Sequence, residues 1–487
     1  MSEICLCLSA SSVEEMTRQF TACPGQPGMV ELRVDALQNF DRHALEALVL
    51  LLQGRKVKIV WTVRYLEERG SFQGSEEERL ELLHWGDGLG VDYVDVELRS
   101  DCAQKVQLKR AKKILSYHDF SGLPQKPEAI VQEMKDAKAD VAKVAFKVES
   151  TEECERVVGL YEKFEGLCLV AIAMGEFGMP SRLFPARLGM PWTYASSGAE
   201  GTAPGQFDVE ELESLYRFSS IQSSTRLFAV IGNPVGHSLS PQLHNLHYIE
   251  ESIDACYGKI RVDDMDAFYR LAETLGIEGV SVTVPHKEDL KRWMEKDHEL
   301  LSIGSANTLL KTEGGWEVRN TDIEAAISSI ELLLDASIQH PRVLLLGAGG
   351  VSRSLAHGMS QKGWRVTLTN RTTTKAEELS REIGGDWIHW DDRSAHGFDA
   401  VVNGTSLGMS PNEESTPLEF EGGHQGLIAF DTVYTPEKTL FLRSAKEAGA
   451  HIVTGREMFF RQGALQHAHW FGGAPPWDSM EKILGEL

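Results

Sequence analysis

Across the first 218 residues, short apolar runs alternate with stretches whose apolar positions recur every three or four residues. The runs ICLCL, MVELR, KIVWTV, YVDVEL, KKILSY, VAKVAF, LCLVAIA and WTYAS read as strands, and the segments between them as helices. Ser75 with Glu78, and Asp208 with Glu211, have the spacing of a capping box, so each pair predicts a helix start. Eight strands alternating with helices predict a (β/α)8 barrel over 1–218; a doubly wound open sheet shares this rhythm. Glu31, Arg33, Arg64, Glu97, His118 and Asp119 fall at the ends of these strands. In a barrel, the C-terminal strand ends form the active face. Residues 219–225, SSIQSST, are polar and without period, and read as a linker. A fresh strand starts at 226, another at 341, and from about 456 the strand–helix rhythm gives way to helix.

Composition narrows the classes. Hydrophobic residues make up 42% and charged residues 25% of 487, the balance of a globular chain long enough for several cores. A net charge of −23 argues against a protein that tracks nucleic-acid phosphates. No apolar run reaches the roughly 18–20 residues needed to span a bilayer. The opening MSEICLCLSASSVEEM lacks a basic region and reads as a first strand, not a targeting segment. Seven cysteines, odd in number and without a C-x-x-C pair, predict neither a metal site nor a disulfide framework. A reducing cytoplasm, bacterial in origin, is the expected setting; the oligomeric state stays open.

Chemistry concentrates in a few places. VLLL runs into Gly347-Ala348-Gly349-Gly350-Val351-Ser352 and a helix follows, a turn that brings backbone N–H groups and a helix N-terminus to a pyrophosphate. Ser352 stands where a third glycine is usual. The next strand ends at Asn370-Arg371-Thr372, beginning 23 residues after Gly347, where an acid would select NAD. An arginine there pairs with a 2′-phosphate, so NADP(H) is expected. Upstream, Ser238 and Ser240 offer two hydroxyls suited to a carboxylate. Lys287 follows a strand, Asp322 opens a helix, and Asn307 lies between them in sequence. A lysine and an aspartate near one oxygen can deliver a proton to a carbonyl. In the first region Lys143 sits among apolar residues, where desolvation lowers its pKa and a neutral amine can attack a ketone to form a Schiff base. By period 2, Lys147 shares its side, and the strand alone does not choose between them. His118 suits a proton shuttle, Asp119 a loop cap, and Arg33, Arg64 and Arg182 a carboxylate clamp.

Residues 226–475 carry GNPxxHSLSP, VTVPHK, SANTL, NTD, GAGG, NRT and GREMFFRQ in order, and so resemble the shikimate dehydrogenase family. The resemblance implies reduction of 3-dehydroshikimate to shikimate with NADPH. It makes Lys287 and Asp322 the catalytic pair, with Ser238, Ser240, Thr283, Asn307 and Gln462 on substrate and Tyr434 lining the same cleft. It gives NADP to Gly347, Ala348, Gly349, Gly350, Asn370, Arg371, Thr372 and Gly455. Ser281 departs from an asparagine common in that family, which bears on discrimination against quinate. Residues 1–218 carry ELRVD, TVR with Glu68 four residues later, DVEL, SYHD, AKVA, PSRLF and TAPGQ, and resemble type I 3-dehydroquinate dehydratase, a metal-free (β/α)8 barrel. That resemblance places the Schiff base on Lys143 and acid–base work on His118 supported by Glu68. It places substrate contacts on Glu31, Arg33, Arg64, Arg182, Thr202 and Gln206.

The two families catalyse consecutive steps, so one chain performing both is expected. The expected architecture is α/β. A (β/α)8 barrel occupies 1–218. It is followed by a two-domain dehydrogenase, with a substrate domain at 226–325 completed by helices at about 456–487 and a Rossmann-like NADP domain at 326–455. A class I aldolase-like barrel, a quinate dehydrogenase and an NADP-sensing regulator are the competing readings. Small-molecule substrates are the expected partners, with no nucleic acid and no membrane.

Overall fold

The computed structural model describes residues 2–25, 27–198, 204–295 and 298–486. The chain forms two compact units: one of Met1–Pro241 with Glu251–Glu278, the other of Gln242–Glu250 with Gly279–Leu487.

In the first unit, eight parallel strands make a nearly closed barrel. They are β1 (Glu3–Leu8), β2 (Met29–Arg33), β3 (Lys58–Thr62), β4 (Tyr93–Glu97), β5 (Lys112–Asp119), β6 (Val141–Lys147), β7 (Leu169–Met174) and β8 (Trp192–Ala195). Each of β1 to β6 pairs with its successor, and β8 returns to pair with β1. The strands read as nearly continuous apolar runs because a parallel barrel buries both faces, one in the interior and one under helices. Alternation then sorts the residues: Cys5, Met29, Val60, Ile114, Val141, Val170 and Tyr194 pack together as an interior cluster. Ser75 and Glu78 form the full capping box at the Glu76–Leu89 helix. Asp208 also caps its helix, but it accepts from the Glu210 backbone N–H, so the expected box with Glu211 is a simple cap.

Residues 219–225 are pinned within this unit. Arg187 donates to the carbonyls of Ser223 and Thr225, and Thr225 Oγ1 donates to Asp254. Two further parallel strands follow, β9 (Arg226–Gly232) and β10 (Ala255–Arg261). Beyond β10, the Met265–Leu275 helix packs on the barrel's Thr151–Val158 helix. Asp263 and Thr151 fix that seam by reciprocal bonds: Thr151 N and Oγ1 donate to the carboxylate at 2.9 and 2.7 Å, and Asp263 N donates to Thr151 Oγ1. Gly258 lets the Phe184 ring in; a Cβ there would stand 2.7 Å from it.

In the second unit, Gly279–Ser281 of β11 (Ile277–Val282) pairs antiparallel with β12 (Thr308–Thr312), which turns back into β13 (Gly315–Arg319). A six-stranded parallel sheet follows. Its members are β14 (Arg342–Leu346), β15 (Arg365–Thr369), β16 (Asp386–Trp387), β17 (Ala400–Asn403), β18 (Ile428–Asp431) and β19 (His451–Val453), in the order β16-β15-β14-β17-β18-β19. Val343 and Leu345 face one apolar layer while Leu344 and Leu346 face the other, so helices cover both sides. The Gly455–Phe471 helix leaves this sheet and packs on β12: Trp470 Nε1 donates to the Leu309 carbonyl at 3.0 Å and its indole fills the space a side chain at Gly279 would need. The Trp477–Glu486 helix buries Met480 and Ile483 against Leu243 and Phe460. Among the described residues no helix is long and apolar enough to cross a membrane.

Candidate active sites

Strand register brings the barrel's polar residues to one end. Cys7 lies beside Glu31, Thr62 beside Asp95, Glu97 beside Ser116, and Ser116 beside Lys143. Because Val141, Lys143 and Ala145 share the inward side of β6, the Lys143 ammonium enters the barrel, where it is 4% exposed. Lys147 instead sits at the strand's end, paired with the exposed Glu149. Lys143 Nζ donates to Asp95 at 3.0 Å and Glu31 at 3.3 Å, and lies 4.2 Å from the Tyr194 ring. A buried cation persists only when matched in this way.

The match overturns one expectation. Burial alone would lower the Lys143 pKa, but the Asp95 and Glu31 carboxylates outweigh it and raise the ammonium well above its ordinary range. The resting amine is therefore charged and has to lose a proton before it can attack. Asp95 in turn is held far below the ordinary carboxylate range: burial pushes it up, and Arg64 and Lys143 more than reverse that.

Around Lys143 the polar residues form a connected network. Arg64 reaches Asp95 at 3.0 Å and Ser116 at 2.7 Å, and Ser116 Oγ donates to Asp95 at 2.6 Å. Arg79, outside the expected set, pairs with Glu97. His118 Nδ1 lies 2.8 Å from Glu68, whose carboxylate also accepts the His118 backbone N–H. Burial, with the Arg64 and Lys143 charges, drives His118 well below its usual pKa, and burial raises Glu68 to about 7. Asp119 only ties a loop, accepting from Ser121. Arg33 is clamped by both oxygens of Asp35. Arg182 is different: it is buried, and among the described residues it donates only to the Pro204 carbonyl and its Nε has no partner. Burial pulls its pKa down to about 10. Arg33, Arg64, Glu68, His118 and Arg182, with Glu31, Lys143 and Gln206, line a cavity of about 130 Å³. Thr202 lies outside the described residues.

Sequence reasoning does not single out Asp95, Ser116 or Cys7. The signal for Asp95 is in the chain: in YVDVEL it lies between two buried valines, an inward acid that needs a cation. Cys7, facing Glu31 at 3.5 Å and accepting from Gln206 Nε2 at 3.4 Å, reads from sequence as plain core.

In the first unit, Ser238 Oγ and Ser240 Oγ stand 3.2 Å apart on the turn after β9. In the second, Lys287 Nζ donates to Asp322 at 2.6 Å. Asn320 caps the Thr321–Glu331 helix through the Ile323 N–H, which sets Asp322 in its first turn. The Ala306 N–H donates to the Lys287 carbonyl, and Asn307 binds Thr321 through both its Nδ2 and its Oδ1, so the two segments carrying the pair are tied together. Thr283 accepts the His286 N–H in the turn before Lys287. On the Gly455–Phe471 helix, Gln462 is partly buried and donates to the Phe459 carbonyl. One turn on, the buried Gln466, which the sequence reading overlooks, accepts from Ser281 Oγ at 2.7 Å and donates to Thr308 at 3.1 Å. Ser281 thus serves Gln466 inside the core. Tyr434 is half exposed and stacks on Phe459.

The dinucleotide turn suits a phosphate group. Gly347 has φ 110°, and a Cβ there would meet Thr405 and Gly404 at 3.0–3.1 Å; Gly349 faces open space. Ser352 replaces the third glycine at no cost, because its buried hydroxyl donates to the Gly404 carbonyl across space that Gly404 leaves empty. The Gly347 N–H donates to Thr369, so the turn lies beside Asn370, Arg371 and Thr372; Arg371 is exposed. Gly455 opens its helix so close to the preceding loop that a Cβ there would stand 2.3 Å from the Val433 carbonyl oxygen. Among the described residues no cluster of three His, Cys, Asp or Glu is placed to hold a metal ion.

A nearly closed barrel around a buried lysine, followed by a glycine-turn α/β half, defines an α/β enzyme with two separate chemistries. Comparisons agree in both halves. The family model for type I 3-dehydroquinase matches residues 4–223, that for the shikimate dehydrogenase substrate binding domain 230–309, and that for shikimate / quinate 5-dehydrogenase 330–406. A chloroplastic bifunctional 3-dehydroquinate dehydratase/shikimate dehydrogenase of Arabidopsis thaliana is 33% identical over 514 residues, covering 99% of this chain and 84% of that one. The NADP(+) shikimate dehydrogenase of Lysinibacillus sphaericus is 38% identical over 262 residues, 52% of this chain and 95% of that one. A crystal structure of a shikimate dehydrogenase in complex with NADP+ matches with a TM-score of 0.51 at 28% identity, over 55% of this chain and 96% of that chain. The chain belongs to the bifunctional 3-dehydroquinate dehydratase/shikimate dehydrogenase family of the shikimate pathway.

Proposed function

We propose that Lys143 forms the Schiff base of the dehydratase step and that NADPH is the reductant of the second. The observation that carries the first is a lysine buried between two acids, at a cavity that His118, bonded to Glu68, also lines. Lys143 loses a proton, its nitrogen attacks the ketone of 3-dehydroquinate, and loss of water gives the imine. His118, oriented by Glu68, removes a proton from the carbon beside the imine. The electron pair expels the β-hydroxyl, which takes the proton now held by His118 and leaves as water, and hydrolysis of the imine frees 3-dehydroshikimate and the amine. Arg182, whose buried Nε has no partner among the described residues, takes the substrate carboxylate. Glu31, Arg33, Arg64, Thr202 and Gln206 complete the contacts.

In the second step Lys287 and Asp322 act together, delivering a proton to the ketone oxygen of 3-dehydroshikimate. NADPH, when bound, supplies the hydride. Ser238 and Ser240 take the carboxylate, and Thr283, Asn307, Gln462 and Tyr434 the ring hydroxyls and cleft wall. The Gly347–Gly350 turn and Gly455 hold the dinucleotide, and Asn370, Arg371 and Thr372 its 2′-phosphate. NADP is favoured over NAD by the exposed Arg371 and by the names of the relatives. The three matched family segments support a division into 1–218, 226–325 with the C-terminal helices, and 326–455. The seven cysteines, all free thiols, support a reducing cytoplasm. Purified protein mixed with 3-dehydroquinate and NADPH should oxidise NADPH, because only the dehydratase product is reducible. Oxidation with 3-dehydroshikimate but not with 3-dehydroquinate would remove the barrel reading; silence with both would favour the sensor.

A further inference from the structure

Arg261 ends β10 and lies outside both sets of reacting groups, yet it touches the turn after β7, which is bonded to the segment carrying Gln206, and the residue that opens the loop carrying Ser238 and Ser240. Its Nη1 pairs with Glu176 at 2.5 Å, its Nε donates to Asn233 Oδ1 at 2.9 Å, and its guanidinium lies over the Phe177 ring at 4.8 Å. Glu176 and Phe177 form the turn after β7. That turn begins at Met174, which lines the dehydratase cavity, and its Gly175 N–H donates to the Pro204 carbonyl just before Gln206. Asn233 opens the loop that carries Ser238 and Ser240. All of these residues belong to the first unit.

We infer that Arg261 is a positioning residue shared by both activities, holding the Gln206-bearing loop and the Ser238-bearing loop in one arrangement. This rests on the roles proposed above for Gln206, Ser238 and Ser240. The planar guanidinium suits this role because it presents donors in fixed directions and a face to an aromatic ring, so one side chain grips two backbone turns. A cavity of about 280 Å³, lined by Gln206, Gly236, Lys259 and Arg261, separates the loops. With open space between them, the guanidinium sets their spacing. It adds little to stability. The pair with Glu176 is exposed, 33% and 70%, and contacts of that kind contribute weakly. The seam is anchored separately, by Asp263 on Thr151 and by Gly258 under Phe184.

The test measures the two steps separately, in the full chain. Arg261→Ala should raise KM for 3-dehydroquinate and KM for 3-dehydroshikimate by about three- to tenfold each, with both kcat values and the KM for NADPH within about twofold of the parent. Arg261→Lys keeps a charge for Glu176 but loses the second directed donor, so it should restore the dehydratase KM and leave the dehydrogenase KM raised. Glu176→Gln should move the dehydratase KM alone. A folded Arg261→Ala with both KM values unchanged overturns the inference, as does a loss in kcat that matches a drop in melting temperature. If that variant does not fold, Glu176→Gln decides: an unchanged dehydratase KM rejects the shared role. Parent protein inactive on both substrates would reject the functional reading instead, before any variant is made.

Discussion

The two lysines proposed to do the chemistry sit in opposite surroundings. The Lys143 side chain is 5% exposed, between an Asp95 with no exposure and a nearly buried Glu31. Lys287 is 25% exposed and, among the described residues, meets a single acid, Asp322, at 2.6 Å. Burial explains the difference in their company. A cation removed from water needs more than one acid, and each acid needs further donors, so Lys143 brings Asp95, Glu31, Arg64, Ser116 and Thr62 into one network. The half-open pair can use solvent instead. The lesson is that a covalent amine and a proton relay place different demands on a fold: the first needs a dry, matched interior, the second a short bond at the edge of a cleft.

The largest effect that could break this contrast is at Lys143. Lys143→Ala should lower dehydratase kcat by more than about 10⁴-fold, because the covalent route disappears. Turnover of 3-dehydroshikimate with NADPH should be unchanged. Retained dehydratase turnover in a folded Lys143→Ala protein would remove the Schiff base. Lys287→Ala should do the reverse at a smaller scale. Losing a proton donor costs about 10²–10⁴-fold, so dehydrogenation should fall by that range while dehydration of 3-dehydroquinate persists. An equal loss at both steps would mean the variant had damaged the fold, and a melting curve would show it.

How much of this contrast is legible in the sequence depends on whether a residue's partner lies nearby in the chain. The alternation of β6 shows that Lys143 and Lys147 share a side, but not which one the barrel encloses; the register with Ser116 on β5 decides that. The ionisation state of Lys143 is not legible at all. It depends on Asp95 and Glu31, 48 and 112 residues away, and desolvation reasoning alone gives the opposite sign. The dinucleotide turn is the reverse case: strand, glycines, helix and Arg371 are consecutive, so local rules suffice. Gln466 shows where local rules mislead. Gln462 and Gln466 lie one turn apart, and only packing against Ser281 and Thr308 distinguishes the buried one.

A third variant sharpens the separation of the two halves. Arg371→Asp replaces an exposed cation with an anion where the 2′-phosphate is proposed to bind. The preference for NADPH over NADH, read as a ratio of kcat/KM values, should fall by about 10- to 100-fold through loss of a charge-assisted contact. Dehydratase kinetics should not change. An unaltered preference would put the adenosine pocket elsewhere.

The smallest effect concerns protons in the buried half. Glu68 titrates near 7 because burial disfavours its charge, while burial and the neighbouring cations keep His118 neutral. Above that pH the ionised Glu68 accepts the Nδ1–H of His118 and leaves Nε2 as the base. Dehydratase kcat/KM should therefore rise with pH through about 7. Glu68→Gln cannot ionise; its rate should be about tenfold lower, with that limb of the profile gone. Stability runs the other way. The folded carboxyl titrates above its ordinary 4.5, so the folded state holds more protons between 4.5 and 7. The contribution of Glu68 to stability is complete below 4.5 and is lost as pH rises through 7, and melting temperatures of parent and Glu68→Gln should diverge across that window. The charge that activates His118 is thus the charge the buried site resists. A limb near pH 7 that survives in Glu68→Gln would assign the titration to another group and detach activity from this pair.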